Sequence, residues 1–299
     1  MKNAVLLIAF NRPDTTLLVL NSILKAKPPR LYIALDGPRE GVRSDILECT
    51  AVKDLINSLD WDCELKTMFS ESNLGCKEGP IKAINWFFES EEQGVILEDD
   101  CLPSQSFFSF CDSLLELYKH DERIWHIDGT TFQNIKVIES YSFSRYALIW
   151  GWATWRRAWV KYDGEMKDFP CFLKGKLIKN IWKNEKVQKY WLSNFETAYL
   201  GNIDTWDYQW FYKIWCNNAL TIRPSVNLVK NIGFSDQATH TKKKTKLFDS
   251  MFANEIISDV LIHPKFIIEN KELDDECSKV RFGIRNLGEK IIYKMQSYF

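Results

Sequence analysis

The sequence predicts an α/β protein organised around a mostly parallel sheet, and three observations carry that expectation. The runs "AVLLIAF" (4–10), "LYIALD" (31–36) and "GVILEDD" (94–100) are short, apolar and rich in branched residues, as strands buried on both faces must be. Between them lie "PDTTLLVLNSILKAKP" (13–28) and "IKAINWFFES" (81–90), whose apolar residues recur at helical spacing. A length of 299 residues suits one such domain with elaborations.

The first strand and the second flank a helix, with Asn11-Arg12-Pro13-Asp14 as the turn between strand and helix, so a βαβ unit opens the chain. "CELKTMFS" (63–70) is a weaker third strand, and the run ending at Asp100 is a fourth. "PSQSFFSFCDSLLELYKHD" (103–121) is an amphipathic helix with Ser104 at the N-cap, and "IWHIDG" (124–129) is a further strand. Alternating strands and helices imply a sheet covered on both faces, with ligands beyond the carboxyl ends of its strands. From residue 150 to 215 the chain carries nine of its twelve tryptophans, a density that an ordinary core does not require. Residues 166–191 are basic and helical in pattern, and "TKKKTK" (241–246) is a charged loop, either solvated or able to close over an anionic ligand. The tail 279–299 holds five Lys or Arg against one Glu, interleaved with apolar residues, which suits a packing helix or a contact with a membrane surface.

Charge and cysteine usage narrow the class. Lys and Arg number 39 against 40 Asp and Glu, so no overall field attracts nucleic acid. The eight cysteines show no metal-ligand spacing and read as reduced thiols of a cytoplasmic protein. No apolar run is long enough to span a membrane, and the apolar start reads as a strand rather than a signal peptide.

Three polar features stand just beyond strand ends: Arg12, Asp36 in "LDGPR", and the triplet Glu98-Asp99-Asp100. Two carboxylates about 4 Å apart repel by roughly 4 kcal/mol at an effective dielectric near 20, so something must offset that cost at the end of a buried strand. Water in an open loop is one answer; a hard divalent cation such as Mn2+ or Mg2+ is the other, since these take oxygen ligands.

These residues carry a resemblance. "VILEDDCLPSQSFFSF" resembles the metal-binding strand end of GT-A nucleotide-sugar glycosyltransferases, and in particular the inverting N-acetylglucosaminyltransferase of N-glycan branching and its bacterial relatives of surface-polysaccharide assembly. "AFNRPD", "LDGPR", "LIWGWATWRRAWVKYD", "TWDYQW" and "RPSVNLVKNIGFSDQATHT" resemble further segments of that family in the same order, from about residue 4 to 241. The resemblance implies a Rossmann-like GT-A domain whose residues 1–101 bind a nucleotide-sugar, most readily UDP-linked, and whose residues 102–250 bind the acceptor, followed by a helical extension over 251–299. It implies Asp100 as the metal ligand, with Asp99 and Glu98 on the donor's ribose and sugar hydroxyls, Asp36 on the base or ribose, and Arg12 near the phosphates. Lys77 and Asn73 in "SNLGCKEGP" are expected to line the same pocket, and His240 to touch donor phosphate or metal.

Inverting transfer also needs a base to remove the acceptor's proton, on the opposite side of the reacting carbon from the metal. Asp207 in "TWDYQW" occupies that position by resemblance, with Asp204 as the substitute; read locally, Asp207 is equally a helix-capping residue. Trp152, after Gly151, and Trp206, beside Asp207, are expected to meet the acceptor's sugar faces, whereas Trp155 and Trp159 at i, i+4 fit a helix buried in the core. The acceptor is expected to be a glycan or a lipid-linked glycan. A nucleotidyltransferase would show a glycine-rich phosphate loop after the first strand, where "NRPD" has none, and a non-catalytic glycan-binding scaffold would have no need of an intact triplet with Asp207.

Overall fold

The computed structural model describes residues 1–59, 63–132, 138–233, 257–258 and 260–285. Its centre is one eight-stranded sheet in the order β3-β2-β1-β4-β8-β6-β9-β7. The strands are β1 (Ala4–Ala9), β2 (Arg30–Leu35), β3 (Glu64–Phe69), β4 (Gln93–Glu98), β6 (Ile124–Asp128), β7 (Tyr141–Ser144), β8 (Trp152–Trp155) and β9 (Leu220–Pro224). A two-stranded ribbon joins β5 (Cys101–Pro103) to β10 (Val229–Asn231). The four strands β3, β2, β1 and β4 run parallel, which is the order of a Rossmann half-sheet, while β8 is antiparallel to both β4 and β6. The chain is therefore a mixed α/β protein with a Rossmann-like parallel first half and a mixed second half.

Alternation along the strands loads two cores. Val5, Leu7 and Ala9 of β1 join the layer under α1 (Pro13–Ala26), α2 (Arg43–Asn57) and α4 (Gln105–Leu117), while Ala4 and Leu6 join the layer under α3 (Gly75–Ser90). The second layer also receives α5 (Arg156–Trp159), α6 (Phe169–Lys174), α7 (Ile178–Ile181), α8 (Glu185–Tyr199) and α9 (Asp207–Cys216). Ser104 stands at the N-cap of α4, but its hydroxyl caps nothing; its N–H donates to the Leu228 carbonyl at 2.8 Å instead. Trp155 and Trp159 do not share a helical face, because the chain passes from β8 into α5 between them. Trp155 faces the α4 layer, where its Nε1 donates to Leu115 O at 3.0 Å, and Trp159 lies in the opposite core.

The sheet ends at β7, and the C-terminal segment seals it. Glu269 bridges Phe143, Asn270 N–H donates to Phe143 O at 2.8 Å, and the segment leads into α10 (Lys271–Val280). Helix α10 is held from below by a buried polar cluster. Asp274 accepts from the Ser144 hydroxyl and from Arg145 N–H at 2.9 Å, and lies 3.4 Å from the Arg223 guanidinium. Arg223 in turn approaches Asp128 at 3.5 Å and donates to Tyr146 O at 3.0 Å, with both carboxylates and the arginine out of contact with water.

Burial pushes the Asp274 carboxyl up to about 6 despite Arg223. Its folded pKa is thus above the unfolded value, so the folded state binds a proton that the unfolded chain releases between about pH 4 and 6. Stability supplied this way is complete below about pH 4 and is lost as pH rises through 6, a change of about 2–3 kcal/mol for a shift of this size. Thermal melts of the wild type across this window are expected to fall relative to those of Asp274→Asn; parallel profiles would show that the carboxyl titrates alike in both states.

Candidate active site

The carboxyl ends of the parallel strands β1, β2 and β4 lie along one edge of the sheet, and the residues that follow β1 and β4 meet there. Arg12, at the start of α1, places Nη1 2.7 Å from Asp100 Oδ2 and 3.5 Å from Asp99 Oδ1. The triplet is thus balanced by one guanidinium for three carboxylates. Burial, then the charges of Asp100 and Asp99, push Glu98 up to about 8, and Asp207 adds to the same shift from a remote part of the chain. Asp99 is buried and pushed up to about 6, chiefly by that burial. The Gly233 backbone packs against Asp100 so closely that a Cβ there would stand 2.2 Å from Oδ2, and Ile232 N–H donates to the Asp100 carbonyl at 2.8 Å. Only glycine fits beside the triplet at that point.

Asp207 opens α9. Its Oδ1 accepts from the Thr205 hydroxyl and, at 2.9 Å, from Tyr208 N–H, while Oδ2 takes no hydrogen bond from a described residue. One oxygen thus secures the helix start, and the other has no hydrogen-bond partner among the described residues. Asp204, the substitute, is committed elsewhere, since its two oxygens accept Cys76 N–H at 2.8 Å and Lys77 N–H at 2.9 Å and so cap α3.

Several expected contacts are replaced by structural ones. Asp36 holds the loop leading into α3: its oxygens accept the N–H groups of Gly37 (2.8 Å), Leu74 (2.9 and 3.1 Å) and Gly75 (3.3 Å) and the Asn73 amide (2.9 Å). Asn73 is therefore bound to Asp36 rather than presented to a ligand. Asp99 is buried, accepts Phe10 N–H at 2.9 Å and lies 3.5 Å from Arg12 Nη1. Lys77 turns away from the triplet and pairs with Glu165 at 3.1 Å. His240 and the basic loop 241–246 lie outside the described residues, as does the tail beyond residue 285.

The two tryptophans expected at an acceptor are interior. Trp152 is 1% exposed, with its ring sandwiched between His126 (4.8 Å, 15°) and Trp206 (5.5 Å, 23°), so neither face is open to a sugar. Trp206 is 4% exposed and packs on Trp152 and Trp159. Behind them Trp210 Nε1–H donates to His126 Nδ1 at 3.2 Å, which leaves the imidazole Nε2–H to donate to Leu148 O at 3.2 Å, with Asp128 Oδ1 2.9 Å from the same nitrogen. The aromatic density read from the sequence is thus a stacked core that carries α9 and its Asp207.

The residues that sequence reasoning missed line a groove beside α3, with a volume of about 510 Å³. Trp159 and Tyr162, stacked at 4.4 Å and 10°, form part of its wall, and Glu78, Asn85 and Glu89 project from one face of α3. Their spacing of seven and four residues was available as a signal, since it places them along one helical stripe.

Among the described residues no group of three or more His, Cys, Asp or Glu side chains is arranged to hold a metal by itself. The triplet nevertheless suits a hard cation bound through one protein carboxylate. The acids outnumber Arg12 three to one, which leaves negative charge for a cation, and Arg12, now 2.7 Å from Asp100 Oδ2, would share that carboxylate with it.

No protein-family model and no curated protein matches the chain. Similar solved structures include HddC from Yersinia pseudotuberculosis, 8% identical over 52% of this chain and 77% of that one, with a TM-score of 0.32. Mouse xyloside xylosyltransferase 1 in its apo form is 11% identical over 72% of this chain and 81% of that one, with a TM-score of 0.32. UDP-glucose pyrophosphorylase complexed with UDP-glucose is 10% identical over 49% and 59%, with a TM-score of 0.27. Among the described residues no helix is long and apolar enough to cross a membrane.

Proposed function

We propose that the chain is a metal-dependent, inverting glycosyltransferase that moves a sugar from a nucleotide-sugar, UDP-linked by preference, to a hydroxyl of a glycan or lipid-linked glycan. The observation that supports this reading best is that the strand ending in the triplet and the helix beginning with Asp207 are brought side by side, since Trp152 lies opposite Ile96 of β4 and stacks at 5.5 Å on Trp206, the residue before Asp207. In this reading Arg12, already in contact with Asp100, meets the donor's phosphates with its planar fork, and Glu98 hydrogen-bonds hydroxyls of the donor sugar. Asp207 takes the acceptor's proton on Oδ2 as that hydroxyl's oxygen forms the new bond to the anomeric carbon, while the bond to the diphosphate breaks and its electron pair leaves with the diphosphate. Mn2+ or Mg2+ held at Asp100 would supply positive charge to that leaving group. Surface-polysaccharide synthesis at the cytoplasmic side of a membrane is the setting that such an acceptor fits.

Asp100→Ala tests the donor half. Changes in residues that merely support a metal's ligands cost about 10–100-fold in affinity, so loss of the ligand itself is expected to weaken Mn2+-dependent UDP binding by about 100-fold or more. Calorimetric titration of UDP with and without Mn2+ checks this, and unchanged affinity in the variant would remove the metal from Asp100. A thermal-shift series over nucleotide-sugars identifies the donor; a flat response to all of them in the wild type would favour a scaffold over an enzyme.

A further inference from the structure

We propose that the groove along α3 is the acceptor-side subsite, and that it is built for neutral or amino-bearing sugar chains and against anionic ones. The proposal rests on the transferase reading of Asp207 and specifies the acceptor's chemistry. Its first support is position. The wall residue Tyr162 donates its hydroxyl to the carbonyl of Trp206, the residue before Asp207, at 3.1 Å, and the charges of Asp207, Glu78, Asp163 and Glu165 all act on the Tyr162 phenol, adding to burial in pushing its pKa up. The groove and the candidate base therefore share one ring.

Shape and composition supply the second support. Glu78 and Glu89 are eleven residues apart on α3, roughly 16 Å at the rise of an α-helix, a length that suits several linked sugars better than one. The half-buried Tyr162, backed by the parallel Trp159, offers an aromatic surface for the apolar face of a pyranose. Polar groups along the opposite side can take its hydroxyls.

The third support is the charge balance. Both cations of the groove are already engaged: Lys77 with Glu165 at 3.1 Å, and Arg156 with Glu92 at 2.8 Å and with the Glu91 carbonyl at 3.0 Å. Asp163 accepts the N–H groups of Glu165 and Lys167 at 3.1 and 2.9 Å and has no cationic partner among the described residues. Glu78 and Glu89, both exposed, form no ion pair or hydrogen bond with a described residue. A phosphate or uronate entering here meets three uncompensated carboxylates; hydroxyls and ammonium groups meet acceptors.

The test uses the full chain on an array of immobilised oligosaccharides grouped as neutral, amino-bearing and uronic or sulfated. The wild type is expected to bind neutral or amino-bearing chains at least tenfold more tightly than anionic ones. The double variant Glu78→Lys/Glu89→Lys is expected to weaken that binding about tenfold or more, while its UDP affinity and melting temperature stay at wild-type values. Because both side chains are exposed, Glu78→Gln/Glu89→Gln serves as a second variant that keeps hydrogen-bond acceptors but removes charge, and it should lose the amino-bearing chains first. Glycan binding that neither variant alters, a wild-type preference for anionic chains, or no binding in any group would overturn the groove assignment and leave the donor site standing. Absence of UDP binding in the wild type would instead remove the transferase reading, whatever the array shows.

Discussion

Asp207→Asn is expected to bind UDP and Mn2+ as the wild type does and to lose transfer by about 100- to 10,000-fold, the range that a positioned general base supplies. The amide keeps the shape of the side chain and an oxygen for Tyr208 N–H and the Thr205 hydroxyl, so the start of α9 should survive. What it removes is the second oxygen's ability to take a proton. The measurement is UDP release under saturating donor and acceptor, set beside calorimetric UDP binding. Wild-type turnover in this variant would take the base away from Asp207. Asp204 would be a poor successor, because both its oxygens cap α3.

Arg223→Met carries the largest expected cost in stability. The guanidinium is buried between Asp128 of β6 and Asp274 of α10, at 3.5 and 3.4 Å, and removing it leaves two buried carboxylates with no cation. Breaking a buried pair by deleting one partner costs about 3–5 kcal/mol, mostly the penalty of the stranded charge. Denaturant unfolding should show a midpoint shift of that size. Adding Asp274→Asn should recover part of it, since one stranded charge is then gone. A midpoint within error of the wild type would mean that the carboxylates neutralise themselves by taking up protons. This cost falls on the attachment of α10 and should leave UDP binding at the far end of the sheet unchanged.

The first half of the fold was legible because parallel strands covered on both faces must be almost wholly apolar, as "AVLLIA" and "RLYIAL" are. The second half hides its strands. β9 carries Thr221 and Arg223 in the core, so its hydropathy is that of a loop, and β8 is four residues whose tryptophans imitate helical spacing with the helix that follows. α3 was read as beginning at residue 81 because Gly75, Gly79 and Pro80 interrupt the pattern; its real start is fixed from a distance by Asp36 and Asp204. The same kind of contact explains the site. That a triplet ends β4 could be read from the chain, and so could a distant carboxylate beside tryptophans. Which carboxylates were already spent on backbone N–H groups could not, since Asp36 meets Asn73 and Leu74 only when β2 and α3 are folded together.

Trp152 lies opposite Ile96 of β4, two residues before Glu98, and its ring rests on Trp206, one residue before Asp207. A single indole is thus the shim between the strand that ends in the carboxylate triplet and the helix that begins with the candidate base. Its thickness spaces the end of β4 from the start of α9, the distance that the proposed transfer would have to span, and the imidazole of His126 backs it from the other side like an anvil. A thinner side chain at this position would let the jaws close, a change of gauge produced without touching any group that meets the substrate.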